Sequence, residues 1–132
     1  MSRENVEVVR QFIEAFQRGD LSAVFGFMHP DIEWRGPEGV PEPGPYYGVG
    51  AVRGWLEGFL EAWEEWRAEA TNYRDVGQQV VVELRHQGMA KDSGIQVTSR
   101  DFSVFEVRDG RMTRWLMFDD EADALEAAGL RE

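Results

Sequence analysis

Apolar residues in the first third of the chain follow the spacing of a helix. They recur three or four positions apart, at Val6, Val9, Phe12, Ile13 and Phe16. This spacing places them on one face of a helix. Gly19 is a suitable left-handed stop for that helix, and Asp20 is a suitable cap for a short second one. A third helix is predicted over residues 49–63.

The predicted third helix contains glycines at positions 50, 54 and 58, all on one face. Each glycine inside a helix costs about 1 kcal/mol relative to alanine. A helix face without side chains therefore predicts close approach of another backbone. The alternative is that the fold simply tolerates a weak helix.

From Trp66 onward the hydrophobic pattern changes to period two, which is typical of strands. Strands are predicted over residues 66–76, 79–89, 95–107 and 111–118, with turns between them that give three antiparallel hairpins. A short strand over residues 32–35 precedes them, and a short helix over residues 121–128 follows. Helices and sheet must bury each other, so the predicted class is α+β, with three helices in the N-terminal half.

Residues 36–48 hold four of the five prolines and are predicted to form an ordered loop that ends in Tyr46 and Tyr47. The length of 132 residues favours one domain over residues 1–132. This size leaves room for a cavity beside the core.

The formal charge of −11 argues against nucleic acid and anionic membranes as partners, since both favour a basic surface. The chain has no cysteine, which excludes disulfides and thiolate chemistry. No segment approaches the roughly 20 apolar residues of a membrane span, and the N-terminus does not resemble a signal peptide. These features predict a cytoplasmic protein.

The ordered phrases "VRQFIEAFQRGDL", "HPDIEW", "YYGVGAVRGWLEGF", "RDGRMTRW" and "DDEADALEAAGL" resemble the SnoaL-like branch of the NTF2-like superfamily across nearly the whole chain. The resemblance implies a curved mixed sheet wrapped against three helices, which form a cone around a ligand pocket, usually in a homodimer. The family includes cyclases, isomerases, hydrolases, dehydratases and binding modules, so fold does not decide function.

The resemblance also suggests a catalytic acid. In SnoaL-like polyketide cyclases the last strand carries a Trp followed four residues later by an acid–base Asp, and Trp115 with Asp119 has that spacing. If the side chains of Trp115 and Met117 surround it, the Asp119 carboxylate would lose hydration and become a stronger proton acceptor. The alternative is that Asp119 is a second helix cap or a dimer-surface acid, although Asp120 alone can cap the following helix.

Two other polar residues fall in apolar, inward-facing series. His86 shares its face with Val80, Val82 and Leu84, and could relay a proton or hold an enolate oxygen. Asp101 is in phase with apolar residues of its strand and must pair or lie at the mouth of a pocket. Arg85 and Arg100 are possible partners, although alternation points both to the opposite face. The alternative for His86 is a hydrogen-bonded core residue, and the alternative for Asp101 is a structural ion pair or a dimer contact.

The predicted ligand-binding residues are mostly aromatic. They are Trp34, Tyr47, Phe59, Asp101, Trp115 and Met117, with Tyr46 as a second group that could assist an enolate. Small-molecule pockets are predominantly apolar with few oriented polar groups, and the two tyrosines beside a proline-rich loop could form a lid. Trp55 and Trp63 also belong to the candidate aromatic lining, although a place in the core is the favoured interpretation for both.

Other mechanisms lack the residues they need. The positions that carry the base and the oxyanion-stabilising Tyr of ketosteroid isomerases hold Gly36 and Phe12. With only His29 and His86 and no cysteine, no metal site is expected, and no cofactor motif is present.

The sequence therefore predicts a homodimeric domain that binds a small apolar or aromatic molecule. If it is an enzyme, it abstracts a proton next to a carbonyl, with Asp119 as base and His86 or Tyr46 assisting. The alternative is a non-catalytic module that binds a ligand or docks to a partner.

Overall fold

The computed structural model describes residues 2–37, 40 and 42–129. The elements in chain order are α1 (Ser2–Gln17), α2 (Leu21–Gly26), β1 (Met28–Arg35), β2 (Tyr46–Tyr47), α3 (Val49–Glu61), β3 (Trp63–Val76), β4 (Gln79–Ala90), β5 (Gln96–Arg108), β6 (Arg111–Phe118) and α4 (Glu121–Ala127). Residues 38, 39 and 41 of the predicted proline-rich loop lie outside the described residues. Within the described part, no helix is long and apolar enough to cross a membrane.

The six strands form one curved mixed sheet in the order β2-β1-β6-β5-β4-β3. The three predicted hairpins are confirmed, because β3, β4, β5 and β6 pair antiparallel with their sequence neighbours. Strand β1 pairs parallel with β6, and β2 pairs antiparallel with β1. The predicted α+β cone, with three helices in the N-terminal half and a short C-terminal helix, is confirmed.

Two strands begin earlier than predicted. Helix α3 ends at Glu61, and Trp63, expected to be helical, pairs with Ala90 as the first residue of β3. Strand β1 begins at Met28 rather than Ile32 and includes Pro30. Proline is tolerated there because the ladder between β1 and β6 is irregular between Met28 and Glu33, so its missing N–H breaks no regular pairing.

The main core lies between α1–α3 and the inner face of the sheet, which is the face of Val80, Val82 and Leu84. The predicted corner between α1 and α2 is confirmed. Gly19 has a φ of 74°, and the Asp20 side chain accepts the N–H of Ala23 at 3.1 Å. These caps fix the direction in which α1 crosses the sheet.

The outer face of the sheet is covered in part by α4. Asp120 caps this helix by accepting the Ala122 N–H at 2.7 Å, as predicted. Phe102, Val104 and Leu116 alternate onto this outer face. All three are buried in a second core that includes Ala124 and Ala128, since α4 packs on them.

The uncovered half of the outer face is polar and centred on Glu83, which is buried although it is charged. Its carboxylate accepts a hydrogen bond from Asn72 at 3.0 Å and lies 3.4 Å from Arg85 Nε and 3.6 Å from Arg100 Nη1. Burial favours the neutral acid, but the Asn72 hydrogen bond and the Arg85 charge outweigh it and lower the pKa of Glu83 below its ordinary value. Glu83 therefore links β3, β4 and β5 on the outer face of the sheet.

The glycine face of α3 does not meet another backbone within the chain. A Cβ built at Gly50, Gly54 or Gly58 would have no atom of the described residues within 4 Å. The predicted close approach is thus wrong for the single chain, and the tolerance of a weak helix is the better interpretation.

We predict that Gly54→Ala raises the free energy of unfolding by about 1 kcal/mol, because alanine restricts the unfolded chain and meets open space in the helix. Urea denaturation followed by circular dichroism measures the change. A loss of stability, or a change in oligomer mass on the same variant, would show that the glycine face is a contact surface.

Replacement of Glu83 should have a pH-dependent effect. Because the pKa of Glu83 is lower in the folded chain, its contribution to stability is present at neutral pH. That contribution is lost as the pH falls below the ordinary value of 4.5 and through the lowered pKa. Glu83→Gln should therefore be less stable than wild type at pH 7, with a difference that shrinks in acid. The control is Glu65→Gln, which removes an exposed pair with Arg67 and should change little.

Candidate active site

A cavity of about 440 Å³ lies between the helices and the inner face of the sheet. Its walls are mainly aromatic rings, supplied by Phe12, Phe16, Trp34, Trp55, Phe59, Trp66 and Trp115. Ser99 and Asp119 also line it and are exposed, so they mark its opening to solvent. A volume of this size is typical of small-molecule sites.

The rings hold one another in place. Trp34 is fully buried and packs against Trp55, at 3.9 Å between ring centroids and an interplanar angle of 33°. Trp55 stacks on Phe59 at 5.4 Å, and Phe12 meets the Trp115 ring edge-on at 5.4 Å. These contacts join α1, α3, β1 and β6 and give the cavity flat, preformed walls.

One wall carries a chain of hydrogen bonds from β6 to β4. The indole Nε1 of Trp115 donates to Ser103 Oγ at 3.1 Å, and Ser103 Oγ donates to Asp101 Oδ1 at 2.8 Å. The other carboxylate oxygen, Asp101 Oδ2, lies 2.5 Å from His86 Nε2. Asp101 and Ser103 are 4% and 0% exposed, so little water reaches these hydrogen bonds.

The chemistry of the donors fixes the direction of this chain. An indole N–H only donates, so Ser103 accepts from Trp115 and turns its own proton toward Asp101. An ionised Asp101 only accepts, which places the shared His86 proton on Nε2. His86 Nδ1 is buried and has no hydrogen-bond partner among the described residues. In this arrangement the Asp101 side chain is held by two donors at the wall of an apolar cavity.

The pairing of Asp101 with His86 differs from the expected pairing with Arg85 or Arg100. Register explains the difference, because Leu84 is opposite Asp101 and His86 is opposite Ser99 on the same inner face. His86 and Asp101 are thus diagonal neighbours within reach of each other. Both arginines point to the outer face, as alternation predicts, and pair with Glu83.

Asp119 lines the cavity but is exposed. The expectation that Trp115 and Met117 would shield it from water is therefore not met, since β6 ends at Phe118 and the next residues turn toward α4. Its position is nevertheless close to Asp101 along the ladder, because Phe102 pairs with Phe118 and the two acids flank that pair. Asp119 belongs to the mouth and Asp101 to the interior.

The two tyrosines are not among the described residues that line the cavity. The Tyr46 hydroxyl donates to the Glu42 carbonyl at 3.0 Å, and its ring packs behind Trp34 at 5.5 Å. Tyr47 is 65% exposed. The short strand β2 positions both along the outer edge of β1, which corrects the predicted enolate role of Tyr46 and the predicted ligand contact of Tyr47.

The other predicted residues do come together. Trp34, Phe59, His86, Asp101, Trp115 and Met117 all line the cavity. Trp66 was missed as an ordinary strand residue, and Trp55, for which the core was the favoured interpretation, also lines the cavity. Alternation of Trp66 with Ala68 on one face was the available signal for Trp66. Among the described residues, no group of three or more His, Asp or Glu side chains is arranged to hold a metal ion.

Comparison with solved structures gives the same architecture over almost the whole chain. An NTF2-like protein of unknown function from Burkholderia pseudomallei is 26% identical, with a TM-score of 0.81 over 96% of this chain and 97% of that one. TerC, crystallised with polyporic acid, is 23% identical, with a TM-score of 0.79 over 96% and 98% of the two chains. A proposed SnoaL-like polyketide cyclase from Jannaschia is 18% identical, with a TM-score of 0.79 over 100% and 96%.

No curated protein matches the chain. The model of the SnoaL-like domain family matches residues 9–115, which include the second half of α1, all of α2 and α3, and all four residues of the hydrogen-bonded chain. The protein therefore belongs to the SnoaL-like domain family.

Proposed function

We propose that this protein binds a flat, largely apolar aromatic molecule and removes a proton next to its carbonyl group without a cofactor. The observation that carries this proposal is the Ser103–Asp101–His86 chain in the wall of an otherwise aromatic cavity. Fold alone would not support it, since the same fold serves many functions.

Asp101 is the better candidate for the base than Asp119, because it is buried at the cavity wall. Low exposure removes the water that would otherwise compete for its lone pairs. The carboxylate is held in place from both sides by Ser103 and His86, which supplies the fixed geometry that proton transfer requires. This assignment replaces Asp119 as the base.

The proposed step is a simple transfer. The C–H bond next to the carbonyl breaks, its proton passes to the Asp101 carboxylate, and the electron pair moves into the carbonyl oxygen to give an enolate. Return of the proton to another carbon isomerises the molecule, and attack of the enolate carbon on a second carbonyl closes a ring. The Nε2–H of His86 stays hydrogen-bonded to Asp101 and holds the carboxyl group in place during the transfer.

Asp119 keeps a role at the mouth of the cavity. Asp119 is exposed and directly follows the end of β6, beside the position of Asp101 on β5. An exposed acid there can exchange protons with water and return the interior pair to its starting state. Its removal should slow turnover less than removal of Asp101.

The ligand class follows from the walls. Trp34, Trp55, Phe59, Trp66 and Trp115 present flat aromatic surfaces, which favour a planar partner. The fold relative TerC was crystallised with polyporic acid, which makes that compound a reasonable binding probe. The competing function, binding without chemistry, needs only these walls and leaves the buried Asp101 pair without a purpose.

The proposal is tested with β-tetralone, a bicyclic aromatic ketone, by measuring deuterium uptake next to its carbonyl in heavy water. Wild-type protein should accelerate exchange, and Asp101→Asn should slow it by about 100-fold or more, as expected for loss of a general base. Asp119→Asn is the matched acid variant and should slow exchange by less than about tenfold.

Binding is measured in the same experiment by quenching of tryptophan fluorescence, since four of the five Trp residues line the cavity. Asp101→Asn should keep the wild-type Kd for β-tetralone and the wild-type circular dichroism. Exchange by wild type no faster than in buffer, together with tight binding, would instead support the non-catalytic module.

The homodimer implied by family membership is also part of this proposal. The apolar outer face is already buried beneath α4, so the polar half around Glu83, Arg85 and Arg100 is the surface left for a partner. Light scattering should give twice the chain mass of 15.1 kDa. The monomer mass at micromolar concentration would contradict the dimer and leave the chemistry untouched.

A further inference from the structure

Gly88 lies inside β4, on the inner face and two residues beyond His86. Glycine within a strand weakens it, and often marks a place where another group approaches the backbone closely. Gly88 does not have the left-handed φ that would require glycine on backbone grounds. The reason for glycine must therefore be the space beside it.

That space is occupied by two tryptophans. A Cβ at position 88 would lie 2.4 Å from Cε3 and 2.6 Å from Cζ3 of Trp66, and 3.0 Å from Cε3 of Trp63. The Trp66 ring thus lies directly on the β4 backbone. Any larger residue at position 88 must displace it.

The β3–β4 ladder explains how both rings reach this point. Trp66 is directly opposite Gly88, and a register shift between Trp63 and Glu65 alters the simple alternation that would separate Trp63 from Trp66. The two rings therefore pack on each other at 4.8 Å between centroids, above the same glycine.

Trp66 in turn contacts the groups assigned to chemistry. Its ring lines the cavity and lies 5.4 Å from the His86 ring, at an interplanar angle of 33°. His86 Nδ1, which is buried and without a partner among the described residues, belongs to that imidazole ring. The neighbouring indole restricts the rotation of the imidazole that would take Nε2 away from Asp101.

We propose that Gly88 is a positioning residue. By leaving room for the Trp66 ring against the β4 backbone, it holds the His86 ring against Asp101 and sets the depth of the cavity at this end. The purpose assigned to His86 rests on the proposed function, whereas the geometric dependence of His86 on Gly88 does not.

The test uses histidine resonances, because the chain has only two histidines. In protein labelled with ¹⁵N-histidine, Gly88→Ala should shift the His86 ring signals and lose the Nε2-protonated pattern. The signals of His29, whose Nδ1 accepts the Asp31 N–H at 3.0 Å, should stay unchanged as an internal control. Gly50→Ala, which meets open space, is the matched control and should move neither histidine.

The same variants are titrated with β-tetralone by fluorescence. Gly88→Ala should weaken binding by about tenfold, the effect of one misplaced methyl-sized group in an apolar pocket. Adding Trp66→Leu removes the clashing ring, so the double variant should bind more tightly than Gly88→Ala alone. Trp66→Leu by itself should shift the His86 signals, since it removes the indole ring that packs against the imidazole.

Unchanged His86 signals in Gly88→Ala would overturn the proposal. If Gly88→Ala does not fold, the double variant should fold, and its failure to do so would also contradict the clash with Trp66. These signals are recorded without substrate. If the proposed chemistry proves absent while the His86 signals still respond to Gly88→Ala, the result would therefore count against the function and not against the role of Gly88.

Discussion

The burial of the Asp101 carboxylate is the constraint on which the site depends. A charged group in an apolar interior is costly unless hydrogen bonds replace the lost water. Ser103 and His86 supply those bonds, and Trp115 holds Ser103 in turn. His86 lies on β4, Ser103 on β5 and Trp115 on β6. The carboxylate is therefore stable only when these three strands are paired in the correct register.

The fold is suited to keep that register. Strand β5 lies between β4 and β6 in the centre of the sheet, and its second half is buried on both faces. Helices α1–α3 cover the inner face, while α4 covers the apolar part of the outer face. The polar end of β5, from Gln96 to Arg100, extends beyond this cover and forms one side of the opening. The same strand thus runs from solvent into the core, with Asp101 at the boundary.

Periodicity was sufficient to predict most of the elements. The helical spacing of Val9, Phe12 and Ile13 and the three hairpins were confirmed, as was the Asp120 cap. These features are local or depend on adjacent segments. The start of β3 at Trp63 was missed because it depends on packing against Trp66 and Phe59, which the helical pattern alone does not show.

The site was predicted only in part, for a physical reason. His86 and Asp101 were each identified as polar residues on apolar faces, but their pairing depends on a diagonal contact across β4 and β5, which requires the register. The exposure of Asp119 depends on where β6 ends relative to the helices, and the direction of Tyr46 depends on its bond to Glu42. Such distances between separate segments are not encoded in the period of any one of them.

The most direct test of the central claim is a crystal structure of the protein grown with β-tetralone. We predict density for the ligand between the Trp34, Trp66 and Trp115 rings, with the carbon next to its carbonyl facing the Asp101 carboxylate and no ordered water between them. A cavity filled by the protein's own side chains, or a ligand bound away from Asp101, would contradict the account.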